Sequence, residues 1–242
     1  MKSSPKTITT KRTTEGNNTM SPIQQFKHDL DARIPEFLNN SGISKKRMAY
    51  EWKGWNEKNA NRLFQWFHED LKKALDKKND KRGLKMCIER ILSWGGINKN
   101  KKNANMFDKR FPKMLKQLDM QHGVLTTNVI DTRLSSWTKV LAAYDPSQFC
   151  IYDSRVAIAL RFLFRDKNWF IPDPQGKNVK NAANKLGKGG DPEGSYREYT
   201  TLLQKASPDN PGKYEKKLFM LGGALVEMYA QDPNLWDHAA NW

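Results

Sequence analysis

Apolar residues recur at three- and four-residue spacing along most of the chain, which is typical of amphipathic helices. In SPIQQFKHDLDARIPEFL (21–38), Ser21 suits the N-cap and Pro22 suits the first helical position. Few stretches alternate apolar and polar residues as strands do, so the pattern predicts an all-α fold. The further predicted helices cover residues 59–75, 83–94, 104–119, 132–144, 154–164 and 213–231.

Glycine, proline and polar runs mark the breaks in this pattern. Gly95-Gly96 ends the helix over 83–94, and Pro112 breaks or bends the helix over 104–119. The segment 166–194 is dense in Gly, Pro, Asn and Lys and shows no periodicity of its own, so we expect a functional or mobile loop. Residues 1–20 are polar and predict a disordered tail, which leaves 21–242 as a single domain.

The charge balance indicates that this helical domain binds a polyanion. Among 242 residues, 42 are Lys or Arg and 26 are Asp or Glu, so the net charge is +16. A surplus of this size predicts a nucleic-acid partner. No stretch approaches the roughly 20 apolar residues that span a bilayer, and no signal core is present. We therefore expect a cytoplasmic protein that does not bind membranes.

Metal and nucleotide cofactors are not expected from the residue spacing. The four histidines are scattered, and Cys87 and Cys150 are far apart within apolar patterns, which indicates buried thiols rather than a zinc site. GKGGDPEG (187–194) is rich in glycine, but no strand precedes it and no apolar helix directly follows it. It is therefore a poor candidate for a phosphate-binding loop.

Two basic stretches stand out along the sequence. INKNKKNANMFDKR (97–110) follows the Gly-Gly turn, and the second stretch spans 177–188. Each run alone is usually a solvated surface, but together with the net charge they indicate phosphate contacts. The candidate DNA-binding lysines are Lys99, Lys101, Lys102, Lys185 and Lys188.

In FCIYDSRVAIAL (149–160), a single acidic residue, Asp153, follows apolar residues that are typical of a buried segment. Asp153 stands where a helix begins, and aspartate is a favoured N-cap. The helix dipole favours the ionised form of a carboxylate in this place. Capping and catalysis are compatible, because one oxygen can cap the helix while the other faces a cleft.

Residues 135–160, SSWTKVLAAYDPSQFCIYDSRVAIAL, resemble the part of helix-hairpin-helix DNA glycosylases where the second hairpin helix leads to the catalytic aspartate. The oxoguanine-glycosylase-like branch is the most similar, and 93–103 and 216–225 also resemble it. The resemblance implies two helical lobes around a DNA-binding cleft, with Asp153 as the catalytic residue. It also implies a monomer that binds double-stranded DNA.

The chain departs from better-known members of that family in two places. TTNVIDTRLSSW (126–137) lacks the glycine hairpin that holds a DNA phosphate, and the hydroxyls of Ser135 and Ser136 or nearby amides are the expected substitutes. Bifunctional members carry a Schiff-base lysine roughly eighteen to twenty residues before the aspartate, whereas 133–135 here hold no lysine. This implies a monofunctional enzyme. Lys139, one turn further on, is a second catalytic candidate, although a phosphate-binding or structural role suits it better.

The implied reaction is the removal of a base that has been extruded from the duplex. The ionised Asp153 would stabilise positive charge on the sugar and orient the attacking water. Trp94, Trp137 and Tyr152 are the candidates for stacking on the base, with core packing as the alternative for each. Arg155 is expected to contact a phosphate or a surface acid.

The sequence does not define which base is removed. Oxidised purines and modified pyrimidines, including hypermodified bases of phage DNA, are all compatible with the resemblance, so both repair and antiviral defence remain open. A non-catalytic basic DNA-binding protein is the main alternative. A metal-dependent nuclease and a protein-interaction module are the others, although no cluster of acids is present in 135–160.

Overall fold

The computed structural model contains nine α-helices in the part of the chain it describes, and the prediction of an all-α fold is confirmed. The described residues are 20–33, 35, 51–52, 55–77, 80–123, 133–165, 167–174, 176–187, 189–232 and 234. The helices are α1 (Pro22–His28), α2 (Glu57–Asp76), α3 (Lys81–Trp94), α4 (Phe111–Met120), α5 (Leu134–Tyr144), α6 (Ser154–Leu163), α7 (Lys177–Leu186), α8 (Pro192–Ala206) and α9 (Gly212–Gln231).

Four short elements accompany the helices. Strands β1 (Glu51–Trp52) and β2 (Trp55–Asn56) form a two-residue antiparallel pair. A π-helical turn at Asp29–Arg33 extends α1, and another at Met106–Arg110 precedes α4. These elements add little to the helical framework.

The predicted helix ends agree with the structure where it describes them. Ser21 caps α1 in a capping box: its hydroxyl accepts the backbone N–H of Gln24, whose side chain accepts the Ser21 N–H. Helix α3 ends at Trp94, where the Gly95 N–H donates to the Ile91 carbonyl at 3.0 Å. Near Pro112 the helical backbone runs on from the π-helical turn into α4, and Pro112 lies in the first turn of α4, where a proline does not interrupt a helix.

The prediction for 166–194 is wrong in part, because α7 and the start of α8 lie in this segment. The buried stripe of α7 consists of Val179, Ala182 and Ala183, which are small residues among lysines and asparagines. Helix α8 is also missing from the predicted helices, although Tyr196 and Leu203 lie on its buried face. An amphipathic helix therefore begins within the glycine-rich 187–194 and continues beyond it.

Arg161 of α6 binds this segment at two points, before α7 and at the end of α7. Its Nε donates to the carbonyl of Trp169 at 2.8 Å, and its Nη1 donates to the carbonyl of Leu186 at 2.8 Å. A Cβ added at Gly190 would overlap the carbonyl oxygen of Asn168, so only glycine fits this approach of two backbones. The segment is thus an anchored part of the structure.

Helices α6 and α9 pack closely at the centre of the core. A Cβ added at Gly222 of α9 would overlap the carbonyl oxygen of Arg155 in α6, so glycine permits the close contact. Cys87 and Cys150 are both buried free thiols, as predicted. The largest fully buried side chains of the core include Trp137, Tyr152, Tyr196, Tyr199, Tyr214, Phe26, Phe107 and Phe111.

Several predictions concern residues outside the described ones. They include the tail (described only from residue 20), residues 124–132, which hold much of the stretch that corresponds to the family's glycine hairpin, and Lys188. The two-lobed, helix-hairpin-helix arrangement therefore stays a prediction. Among the helices that the structure describes, none combines the length and apolar character that crossing a bilayer requires.

Candidate active-site cleft

The connector between α5 and α6 is an extended segment, 149–152, whose backbone groups bond to side chains from neighbouring helices. The hydroxyl of Tyr196 donates to the carbonyl of Cys150 at 3.2 Å, and that of Tyr199 donates to the carbonyl of Ile151 at 3.0 Å. Both tyrosines belong to α8. A buried backbone carbonyl without such a partner would be costly, so α8 stabilises the extended shape.

Helices α5 and α9 hold the same connector from other sides. The Tyr152 N–H donates to the hydroxyl oxygen of Thr138 at 3.0 Å. The Ile151 N–H donates to Oε2 of Glu215 at 2.9 Å. The chain therefore enters α6 along a path fixed by side chains from three helices.

Asp153 caps α6 with one oxygen only. Its Oδ1 accepts the backbone N–H groups of Arg155, at 3.0 Å, and of Val156, at 3.1 Å. The predicted capping role is confirmed. Oδ2 takes part in no hydrogen bond within the described residues, and the side chain is partly exposed. The capping contacts therefore hold the carboxylate in one orientation through Oδ1, and Oδ2 stays available to accept a hydrogen bond from a ligand.

Asp153 lines a cleft of about 690 Å³, which is within the range of roughly 300–1,000 Å³ typical of small-molecule sites. The cleft wall combines the loop after α3, the N-termini of α5 and α6, and residues Pro172, Asp173 and Val179 from the segment before and within α7. Its described charged side chains are four cations and two carboxylates: Lys102, Arg133, Lys139, Arg155, Asp153 and Asp173. The lining is therefore electropositive around the aspartate.

Lys139 is a buried amine in the wall of this cleft, with only 6% of its surface exposed. Its Nζ donates to the carbonyl oxygen of Ser135 at 2.7 Å and to the Ser135 hydroxyl at 3.1 Å. Burial lowers the pKa of Lys139 below its ordinary value of 10.5, and the negative charges of Asp153 and Glu215 partly oppose this shift. The amine thus lies in the field of two carboxylates.

The glycine that ends α3 makes room for this lysine. A Cβ added at Gly95 would lie 2.5 Å from Cδ of Lys139 and 2.8 Å from its Cε. Such distances are shorter than real carbon–carbon contacts, so an alanine at this position would displace the lysine side chain. Gly95 therefore helps to place the Lys139 amine.

Glu215 is the site residue that the sequence analysis misses. It lies in the first turn of α9, and burial together with the charge of Asp153 raises its pKa to about 7. In the sequence it stands between a tyrosine and two lysines, as a solvated glutamate would. No local pattern distinguishes it, because its environment comes from residues far away in the chain.

Two of the three predicted stacking residues are core residues. Trp137 and Tyr152 are 0% exposed, so neither ring offers a face to a base in the cleft. Trp137 packs against Phe111 with ring centroids 5.0 Å apart, and the Tyr152 hydroxyl donates to the Phe170 carbonyl at 2.8 Å. The stacking role predicted for these two is corrected to core packing.

Trp94 and Arg155 take different positions relative to the cleft. Trp94 is partly buried and meets Phe64 edge-on, with ring centroids 4.7 Å apart, and it is not among the described residues that line the cleft. The Arg155 side chain lines the cleft, with its guanidinium carbon 5.0 Å from the Phe219 ring centroid. Arg155 therefore belongs to the cleft wall, whereas Trp94 is not among its described residues.

The predicted DNA-binding residues divide into those on the cleft and those away from it. Lys102, Ser135 and Ser136 line the cleft. Lys99 pairs with Asp108 at 2.7 Å, and Lys101 is exposed but is not among the described lining residues. Lys185 borders a separate groove of about 530 Å³ between α7 and α9.

Comparison of the chain with protein-family models, curated proteins and solved structures found no match. Within the described part of the chain, no group of three or more His, Cys, Asp or Glu residues is placed to hold a metal ion.

Proposed function

We propose that this protein is a DNA glycosylase that removes a modified or damaged base and leaves an abasic site. The observation that best supports this function is the placement of Asp153. Its Oδ1 caps α6, and the residue lines an electropositive cleft. A carboxylate fixed in this way can meet positive charge as it develops on a sugar. The resemblance of 135–160 assigns the same role to this position.

In the proposed reaction the bond between the sugar C1′ and the base nitrogen breaks, and the base leaves with the electron pair. Water adds its oxygen to C1′ and gives up a proton, and the departing base takes up a proton in turn, so the products are a neutral free base and an abasic sugar. Asp153 stabilises the positive charge that the sugar gains and accepts a hydrogen bond from the attacking water. Because the carboxylate is already held by the helix N-terminus, little reorganisation is needed when this charge appears.

Lys139 contributes charge rather than a covalent bond in this proposal. Its amine donates twice to Ser135 and is almost completely buried, which suits an electrostatic and structural role. The enzyme is therefore proposed to be monofunctional. Borohydride added during the reaction should trap no covalent protein–DNA product; trapping would contradict the hydrolytic assignment.

DNA contacts are proposed at the mouth of the cleft. Helix α5 begins without a side-chain cap, and its first-turn residues Ser135 and Ser136 line the cleft, so their hydroxyls are proposed to bind a phosphate. Lys102 and Arg155 would add charge at the same mouth. The proposed partner is double-stranded DNA, bound by a monomer.

The base that is removed is proposed only as a class. Pro172, Asp173 and Val179 contribute a wall of the cleft, so the Gly- and Asn-rich segment shapes the space that a base would enter. This contribution supports a pocket for an unusual base, either an oxidised purine or a modified pyrimidine such as a hypermodified phage base. Repair and antiviral defence are the corresponding roles.

The direct test is to incubate the protein, with EDTA present, with genomic and phage DNAs that carry modified or unmodified bases. Released bases are identified by mass spectrometry. The proposal expects a free base from at least one modified DNA, together with abasic sites and no strand cleavage. DNA that is bound by the protein but loses no base, whatever its modification, would contradict the proposal.

A non-catalytic basic DNA-binding protein is the second candidate. The burial of Trp137 and Tyr152 favours it, because a base in the cleft would lack these two rings as stacking partners. This candidate expects salt-sensitive DNA binding that Asp153→Asn leaves unchanged or strengthens, and no base release.

A further inference from the structure

We propose that Glu215 is a positioning residue of the active site, which holds the backbone of Ile151 and thereby orients Asp153. This inference rests on the proposed glycosylase function. Glu215 does not reach the substrate in this proposal; it acts through the connector.

The first support is the hydrogen bond itself. Oε2 of Glu215 accepts the Ile151 N–H at 2.9 Å, and Ile151 is two residues before Asp153. The connector is extended, and its backbone groups depend on side chains for partners. If the acceptor were lost, the buried N–H would be left unsatisfied, and the connector would shift to find water or another partner. A shift there moves the carboxylate relative to the sugar.

The second support is that α9 holds Asp153 from both sides. Glu215 bonds residue 151, before the aspartate, and Gly222 packs against the Arg155 carbonyl, after it. Glu215 and Gly222 are two helical turns apart and share one face of α9. Helix α9 therefore contacts the chain on both sides of Asp153, at the connector and in the first turn of α6.

The third support is the charge environment, which makes Glu215 responsive to pH. Its pKa is raised to about 7 by burial and by Asp153, while the Ile151 N–H, Lys216 and Lys139 oppose the shift. The titratable groups that interact with Glu215 come from α5, the connector, α8 and α9 itself. They are Lys139, Cys150, Asp153, Tyr196, Tyr199 and Lys216.

The ionised form of Glu215 suits the reaction better than the neutral form. A charged acceptor binds the Ile151 N–H more tightly than a neutral one, so the ionised glutamate holds the connector, and with it Asp153, more firmly. Base release by the wild-type protein should therefore rise as the pH passes through about 7. Glu215→Gln keeps an oxygen acceptor but has no charge to gain, so it should not show this rise.

The experiment compares wild type, Glu215→Gln and Glu215→Ala by single-turnover base release between pH 6 and pH 8. The substrate is the DNA from which the wild type releases a base, and its Kd is measured for each variant. Glu215→Ala should lose at least about tenfold in rate, with Kd within about twofold of wild type. Glu215→Gln should match the wild type at pH 6 and fall below it at pH 8. Glu227→Gln, at an exposed glutamate of α9, is the matched control and should behave as wild type.

The possible failures can be told apart. If the wild type releases a base and Glu215→Ala releases it at the same rate, or Glu215→Gln keeps the full pH rise, the inference about Glu215 is overturned. If circular dichroism shows that Glu215→Ala is not folded, the pH profile of the near-isosteric Glu215→Gln decides whether the inference about Glu215 stands. If the wild type releases no base from any DNA, the proposed function fails and this inference falls with it.

Discussion

The ammonium nitrogen of Lys139 lies 2.7 Å from the carbonyl oxygen of Ser135, one helical turn before the lysine's own backbone. The side-chain nitrogen is therefore placed at the level of residue 135, within the stretch 133–135 where bifunctional members of the family that 135–160 resembles carry a Schiff-base lysine. Its second bond, to the Ser135 hydroxyl, and its burial hold it there. The chain thus brings a cation to that level of α5 although no lysine occurs at 133–135.

Replacing this buried lysine with methionine should change how stability depends on pH. The pKa of Lys139 is lower in the folded protein than its ordinary 10.5, so the unfolded chain binds more protons in the alkaline range below 10.5. The free energy of unfolding of the wild type therefore gains a rising contribution as the pH increases in that range. Lys139→Met should lack this contribution in urea unfolding at successive pH values. The exposed-site variant Lys101→Met should keep it, and identical slopes for wild type and Lys139→Met would contradict the assignment.

The two adjacent glycines of α9 provide a matched pair for the packing against α6. Gly222→Ala places a methyl group on the Arg155 carbonyl and should destabilise the protein by about 3 kcal/mol, because backbone must move. At Gly223 nothing lies within 4 Å of an added Cβ. Gly223→Ala should therefore be neutral or stabilise by up to about 1 kcal/mol through helix propensity. Thermal unfolding measures both, and equal effects of the two substitutions would contradict the packing described for α6 and α9.

The neighbouring lysines after α3 test the location of the DNA-binding surface. Lys102 lines the cleft, whereas Lys101 is exposed beside it. Lys102→Gln should weaken binding to duplex DNA and reduce the slope of log K against log salt by about 1, because one phosphate contact is lost. Lys101→Gln should change the slope much less. Fluorescence anisotropy titrations at several salt concentrations give both slopes, and a larger effect at Lys101 would place the DNA elsewhere.

The sequence predicts most helices because their buried faces carry large apolar residues at regular spacing. The apolar spacing does not predict α7, because its buried face consists of Val179, Ala182 and Ala183, which carry a weak hydrophobic signal. The start of α6 is predicted well because capping is local: the Asp153 side chain bonds backbone groups only two and three residues away.

The rest of the site depends on contacts between distant residues. Nothing local separates a tryptophan that stacks on a ligand from one that fills the core, and Trp137 proves to be the second kind. Glu215 is 64 residues from the Ile151 amide that it accepts, so its role appears only once α9 is placed beside the connector. Single-sequence patterns can locate such residues on helices but cannot pair them.

The most direct test of the central claim is the rate of base release by Asp153→Asn. The amide keeps an oxygen that can cap α6, so the free energy of unfolding should stay within about 1 kcal/mol of wild type. Without the negative charge, the single-turnover rate should fall at least about 100-fold while the DNA Kd does not rise. Base release at the wild-type rate by this folded variant would contradict the account, because the charge of Asp153 would then have no part in the reaction.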